Sequence, residues 1–260
     1  MRAGEVRLWF DHGIDPAPRP HLEEAMTVLV IQHEALVPPG LLTRTPLDLC
    51  VAMPDRGEAL PARREEVDAL DALVVLGGTM SANDDAEYPW LPATRRLIAQ
   101  AADAEVPTLL LCLGHQLGAV ALGGTVARNP RGPLWGVEPV GLTDAGREDE
   151  LLRHLPPDAP VVHWNGDVVT GVPHGATVLA RDRRGDVQAA RYAPRVWGLQ
   201  CHPEADAEIV SGWGASETAP EDRERAARAV EAVRVAEHDL AEAWMPVLDA
   251  FAALAEAPRR

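Results

Sequence analysis

The run from Thr108 to Leu111 is apolar, is preceded by Pro107, and ends abruptly at Cys112, where a helical spacing of Leu113, Leu117, Val120 and Ala121 begins. A short, continuous apolar run of this kind reads as a strand buried on both faces. A strand that turns into a helix at one residue lifts that side chain above the sheet edge and aims the positive end of the helix dipole at it. A thiol so placed is expected to have a lowered pKa and to act as a nucleophile. The alternative is a buried core cysteine, the ordinary fate of an unpaired thiol.

Similar apolar runs recur along the chain. Met26–Gln32, Leu47–Ala52 and Ala72–Leu76 read as strands, the last opening into the glycine turn Gly77-Gly78-Thr79. Pro38-Pro39-Gly40 leaves room for only a brief crossover between the first two. A helix is expected over Ala93–Ala104, with Leu97, Ile98 and Ala101 on one face. Beyond Cys112, short strands are expected at Thr125–Arg128, Gly136–Leu142, Ala159–His163, Thr177–Ala180, Val187–Tyr192 and Val196–Gln200. A short helix is expected at Asp149–His154 and a loop at Trp164–Asp167. Pro220–Ala255 has a helical pattern that Pro246 is expected to break. Strands alternating with helices give an α/β, doubly wound, mostly parallel sheet with helices on both faces (flavodoxin-like), plus added antiparallel strands and a C-terminal helical segment. Residues 1–25 are proline-bearing and lack periodicity, so they are expected to form a flexible N-terminal extension. The main domain then covers 26–214, and 215–260 packs on it.

Composition excludes several chemistries. The sequence contains no lysine, which rules out a pyridoxal phosphate Schiff base and a lysine-dependent phosphate loop. Arginine in its place, with abundant alanine, points to a GC-rich bacterial genome. A net charge of -16 argues against nucleic-acid binding. Cys50, Cys112 and Cys201 form an odd, widely spaced set that suits reduced thiols, and neither a membrane span nor a signal peptide is evident. A cytoplasmic protein is expected, without cofactor or metal.

A thiol nucleophile needs a base, and the base needs an orienting group. His202-Pro203-Glu204 supplies both, because Pro203 biases His202 toward an extended conformation in which residues i and i+2 face the same way. Alone, a His-x-Glu is more often a surface histidine beside a solvated acid. His115, on the helix after Cys112, is expected to pack, and His12, His21, His33, His154, His174 and His238 lack any partner pattern.

Four stretches together carry a resemblance. They are Gly77 to Asp84 with Tyr88-Pro89-Trp90, Cys112 to Gln116, His163 to Asp167, and Gly198 to Glu204. From about Met26 to about Trp213 the chain resembles class I glutamine amidotransferases, especially stand-alone proteins similar to the amidotransferase domain of GMP synthase. The resemblance implies that Cys112 attacks the side-chain amide of glutamine, with His202 as base and Glu204 orienting it. It also implies an oxyanion hole from the backbone N–H groups of Gly78 and Leu113, and substrate contacts from Gln116, Trp164, Asn165 and Asp167. The ammonia would pass to a separate synthetase or biosynthetic enzyme. A stand-alone γ-glutamyl amide hydrolase is the alternative.

This chain departs from the family pattern at three positions. Leu110 stands where glycine is usual and is expected to crowd the elbow, Asn165 stands where related proteins often have histidine, and Cys201 replaces a common phenylalanine. Leu110 keeps open a non-catalytic partner protein that retained the fold. A metal-dependent hydrolase built on His163, Asp167, His202 and Glu204 would leave the elbow cysteine unexplained.

Overall fold

A computed structural model describes residues 6–8 and 28–257. The strands are β1 (Val6–Leu8), β2 (Val28–Ile31), β3 (Leu49–Ala52), β4 (Ala72–Val75), β5 (Thr108–Leu111), β6 (Thr125–Arg128), β7 (Leu134–Pro139), β8 (Gly141–Leu142), β9 (Pro160–Asn165), β10 (Asp167–Gly171), β11 (Thr177–Arg181), β12 (Val187–Ala193) and β13 (Val196–Leu199). The helices are α1 (Arg64–Asp68), α2 (Leu91–Asp103), α3 (Leu113–Ala121), α4 (Asp144–Glu148), α5 (Ala207–Ser216) and α6 (Pro220–Glu256).

Nine strands form one sheet in the order β1-β3-β2-β4-β5-β13-β12-β11-β8. The pairs from β1 to β13 are parallel, and those from β13 through β12 and β11 to β8 are antiparallel. Two ribbons, β6–β10 and β7–β9, lie outside this sheet. The fold is therefore the expected doubly wound, mostly parallel sheet with antiparallel additions.

Side-chain alternation splits the core into two layers. Leu29, Ile31, Leu73, Val75 and Leu110 meet Val67 of α1, Leu97 and Ile98 of α2, and Leu117 of α3. On the other face Val28, Val30, Val74, Leu109 and Leu111 meet Val210 and Trp213 of α5, and Trp244, Leu248 and Phe251 of α6. Trp244 also donates its Nε1–H to the Pro160 carbonyl at 2.9 Å, tying α6 to β9.

The structure corrects several local expectations. Val6–Leu8, inside the segment expected as a flexible extension, pair in parallel with β3 at the sheet edge. The rest of 1–25, and the expected domain start at Met26, lie outside the described residues. The helix placed at Asp149–His154 is instead α4 followed by a 3-10 turn at Leu152–His154. Asp149 between them is buried, accepting from Leu151 N, Leu152 N and Trp197 Nε1. The single strand expected over Gly136–Leu142 is two, β7 and β8, which join different sheets. α5, opened by Asp206 accepting from Ile209 N, carries no strong periodic signal and was not expected.

α6 runs unbroken through Pro246. Proline removes one helical hydrogen bond, but Pro246 is exposed, so water can satisfy the freed carbonyl, while the flanking Ala243, Trp244, Val247 and Leu248 are buried and hold the helix in place. Pro246→Ala is expected to raise stability by about 1–3 kcal/mol, measured by urea denaturation.

Leu110 does not distort the elbow as expected. Its side chain points to the α3 layer, where Gly118 leaves the space: a Cβ on Gly118 would lie 2.3 Å from Leu110 Cδ1. The substitution is matched about one helical turn along α3 from its Cys112 end. Gly118→Ala should therefore cost about 1–3 kcal/mol by overpacking, and adding Leu110→Ala should recover part of the loss in the same denaturation assay.

Candidate active site

β4, β5 and β13 are neighbours, all parallel, so their carboxyl ends lie side by side. The segments following those ends carry Gly77-Gly78, Cys112 and His202-Pro203-Glu204. Three distant parts of the chain thus meet at one sheet edge, where open α/β sheets hold ligands.

Cys112 sits between β5 and α3 with φ 49° and ψ -104°, a conformation that L-residues rarely adopt. Such strain costs on the order of 1–3 kcal/mol and persists only where neighbours enforce it. Here Cys112 N–H donates to the Leu199 carbonyl at 2.8 Å, and α3 presses its first turn on β4. Gly114 permits that contact, since a Cβ there would lie 2.2 Å from the Val75 carbonyl oxygen.

His202 is held from both sides. Its backbone N–H donates to the Val162 carbonyl of β9 at 2.8 Å, and its Nδ1 lies 2.8 Å from Glu204 Oε1. Nδ1 carries the proton in this contact, because a carboxylate can only accept. His202 Nε2 has no hydrogen-bond partner and faces the cleft shared with Cys112. Burial opposes a charge on the ring, but Cys112 and Glu204 outweigh it and raise the imidazole to about 10. The Trp213 ring packs on His202 at 4.6 Å between centroids.

The cleft has a volume of about 760 Å³ and contains Cys112, His202, Gly78, Gln116, Trp164, Asn165 and Asp167. Leu113 N–H is at the free first position of α3, and the Leu113 side chain closely approaches Gly78, where a Cβ would lie 2.9 Å from Leu113 Cδ2. The loop expected at Trp164–Asp167 is instead the end of β9 and the start of β10, separated by Gly166 alone. These strands pair with different partners, and the chain bends between them at Gly166. The Asp167 carbonyl accepts from Asn165 Nδ2 at 3.0 Å and from Gln116 Nε2 at 3.2 Å. Trp164 stacks on Trp135 at 4.7 Å.

Sequence reasoning missed Glu34, Trp135 and Trp213 as cleft residues. Glu34 accepts from Thr79 N at 2.6 Å and Thr79 Oγ1 at 3.1 Å, fixing the far side of the Gly77-Gly78 turn. Its position just after β2 was the available signal. Trp135 and Trp213 offered none, because tertiary packing alone brings β7 and α5 to the cleft.

His115 is a packing residue. It is buried against Tyr192, whose hydroxyl lies 2.9 Å from Nδ1. Cys201 is buried, and burial first, then Glu204, pushes its thiol well above the ordinary range. His163 has Nε2 on the Glu138 carbonyl at 3.2 Å, and His202 has Nδ1 on Glu204. Among the described residues no group of three or more His, Cys, Asp or Glu side chains is gathered to hold a metal, and no helix is long and apolar enough to cross a membrane.

The class-I glutamine amidotransferase profile matches residues 56–209. The chain belongs to that family. It is similar to a glutamine amidotransferase-like protein, YfeJ, of Salmonella typhimurium, with 37% identity over 159 residues, which are 60% of this chain and 64% of that protein. One component of a glutamine-hydrolysing GMP synthase from Sulfolobus acidocaldarius is 34% identical over 54% of this chain and 70% of its own length. A crystallised glutamine amidotransferase from Thermotoga maritima shares the fold, with a TM-score of 0.77 and 24% identity over 90% of this chain and all of that one.

Burial lowers His33 and His163 to about 4 and His115 to about 3. Their unfolded value is about 6.5, so below it the unfolded chain binds protons that the folded chain refuses, and stability falls toward pH 4. Each such histidine contributes about 1.4 kcal/mol per pH unit in that window. The raised His202 adds nothing there, since it is protonated in both states; its stabilisation is complete below pH 6.5 and lost as pH rises through about 10. His115→Gln is expected to give a pH dependence shallower by one proton in denaturation titrations.

Proposed function

We propose that the chain hydrolyses the side-chain amide of glutamine through a cysteinyl thioester and supplies the ammonia to a separate acceptor enzyme. The observation that carries this reading is the convergence of Cys112 and His202 in one cleft at the ends of neighbouring strands, with Glu204 buried behind His202 on its Nδ1.

Cys112 Sγ is the nucleophile and attacks the amide carbon, with its proton held by His202. The raised pKa of His202 favours the imidazolium, and Glu204 stabilises that charge through Nδ1–H. Negative charge moves to the amide oxygen, where the N–H groups of Gly78 and Leu113 receive it. The carbon–nitrogen bond then breaks, and His202 gives its proton to the departing nitrogen, releasing ammonia. Water, deprotonated by His202, attacks the thioester, and glutamate leaves as Cys112 regains its proton. Gln116, Trp164, Asn165 and Asp167 line the substrate's binding walls. The likeness to one component of a glutamine-hydrolysing synthase supports a synthetase as acceptor.

A second reading rests on the cleft itself. Its volume, and the wall of Trp135, Trp164 and Trp213, give room for a larger γ-glutamyl amide. Comparing kcat/KM for glutamine and γ-glutamylbenzylamide separates the two: a preference for glutamine, rising when an acceptor enzyme is added, supports the first.

A glutamine-mimicking diazo-ketone should label Cys112, and Cys112→Ala should abolish both labelling and glutamate release. Labelling at Cys50 or Cys201 would overturn the assignment. Gly78→Ala sets a Cβ 2.6 Å from Met80 Sδ and 2.9 Å from Leu113 Cδ2, so the side chains packed on the proposed oxyanion hole must shift. It should lower kcat by about 10²–10³ with little change in the diazo-ketone's reversible binding.

A further inference from the structure

The amide side chains of Gln116 and Gln200 are both buried, and they form a continuous chain from the Asp167 backbone to the reacting sulfur. Gln116 Nε2 donates to the Asp167 carbonyl at 3.2 Å and to Gln200 Oε1 at 3.2 Å. Gln200 Nε2 in turn lies 3.6 Å from Cys112 Sγ, within donor range of a sulfur acceptor.

The direction of this chain is fixed by chemistry. A backbone carbonyl can only accept, so the NH₂ end of Gln116 must face Asp167. That NH₂ group has a second hydrogen, which requires an acceptor, so the oxygen of Gln200 must face Gln116. The NH₂ end of Gln200 is left pointing at Cys112. Rotating either amide would set acceptor against acceptor or donor against donor in a buried site, at the cost of unsatisfied polar groups. Asn165 Nδ2 shares the same Asp167 carbonyl at 3.0 Å and anchors its position.

We infer that Gln200 is a positioning residue for the reaction, holding the Cys112 sulfur as an oriented thiolate by donating an N–H that Gln116 and the Asp167 carbonyl keep aimed at it. This rests on the reading of Cys112 as nucleophile. A hydrogen bond to the charged form of a group favours that form, so the donor favours thiolate before substrate arrives. It also gives the sulfur a directed side-chain contact at 3.6 Å, beside the Trp164 carbonyl 4.0 Å away. Because Gln116 lines the cleft as well, the residue placed to meet substrate is the one that sets the donor on the sulfur.

The other titratable groups around Cys112 are His202, Glu204 behind it, and buried Cys201. Gly77 on the β4 side and Gln116 on α3 bring no charge. Replacing Gln200 leaves those groups in place, so a change in the sulfur's titration reports on the amide.

The test is alkylation of the full-length protein by iodoacetamide across pH, followed at the Cys112 peptide by mass spectrometry. Gln200→Met should raise the midpoint by about one unit, equivalent to about tenfold less thiolate below it. Gln116→Met should shift it in the same direction by less, because the Gln200 amide is then free to rotate. The double variant, which leaves no orphaned amide and guards against misfolding of the single one, should shift it no further than Gln200→Met alone. An unchanged midpoint in either folded Gln200 variant overturns the inference, as does strict additivity of the two changes. Glutamate release that survives Cys112→Ala would overturn the nucleophile reading instead, and the alkylation midpoint distinguishes the two failures.

Discussion

The close approach of α3 to β4 is the constraint on which the site depends. Gly114 lets the first turn of α3 rest on the Val75 carbonyl, and the chain can enter that turn from β5 only through the strained backbone of Cys112. The strain is held by packing on both sides: the Cys112 N–H is taken by Leu199, and the body of α3 is buried against the sheet through Leu113 and Leu117. What results is a thiol at the end of a rigid strand, above a helix N-terminus, with no freedom to retreat into the core.

The second requirement is strand order. β13 lies beside β5 although 84 residues separate the end of one from the start of the other, with two ribbons, a meander and α4 between them. Only this adjacency sets His202 and Glu204 against Cys112. It also sets the Nε2 of Gln200, the residue after β13, 3.6 Å from the same sulfur, so one short segment carries both side chains. β9 adds a third support by accepting the His202 N–H, which couples the position of the imidazole to the strand that carries Trp164 and Asn165.

The departures from the family pattern read differently in three dimensions. Leu110 alone suggests a damaged elbow, yet it points away from the cleft and into the hollow over Gly118. Asn165 makes the bond that anchors the Asp167 carbonyl, and Cys201 is a buried filler beside His202. Each is a local change with a local partner, and none removes a group from the cleft.

The sequence by itself determined the parallel strands, the elbow at Cys112 and the His202–Glu204 contact. In each case the cause is local: a short apolar run, a strand meeting a helical period, and a proline holding i and i+2 on one side. Tertiary structure alone decided the continuity of α6 through Pro246, where burial of the flanking residues outweighs one lost hydrogen bond. It likewise decided the pairing of Val6–Leu8 with β3, the tryptophan wall of the cleft and the amide chain from Asp167 to Cys112. These depend on which residues meet across long separations. Periodicity carries no record of such meetings, because an amide or an indole has the same local spacing whether it faces water or a sulfur.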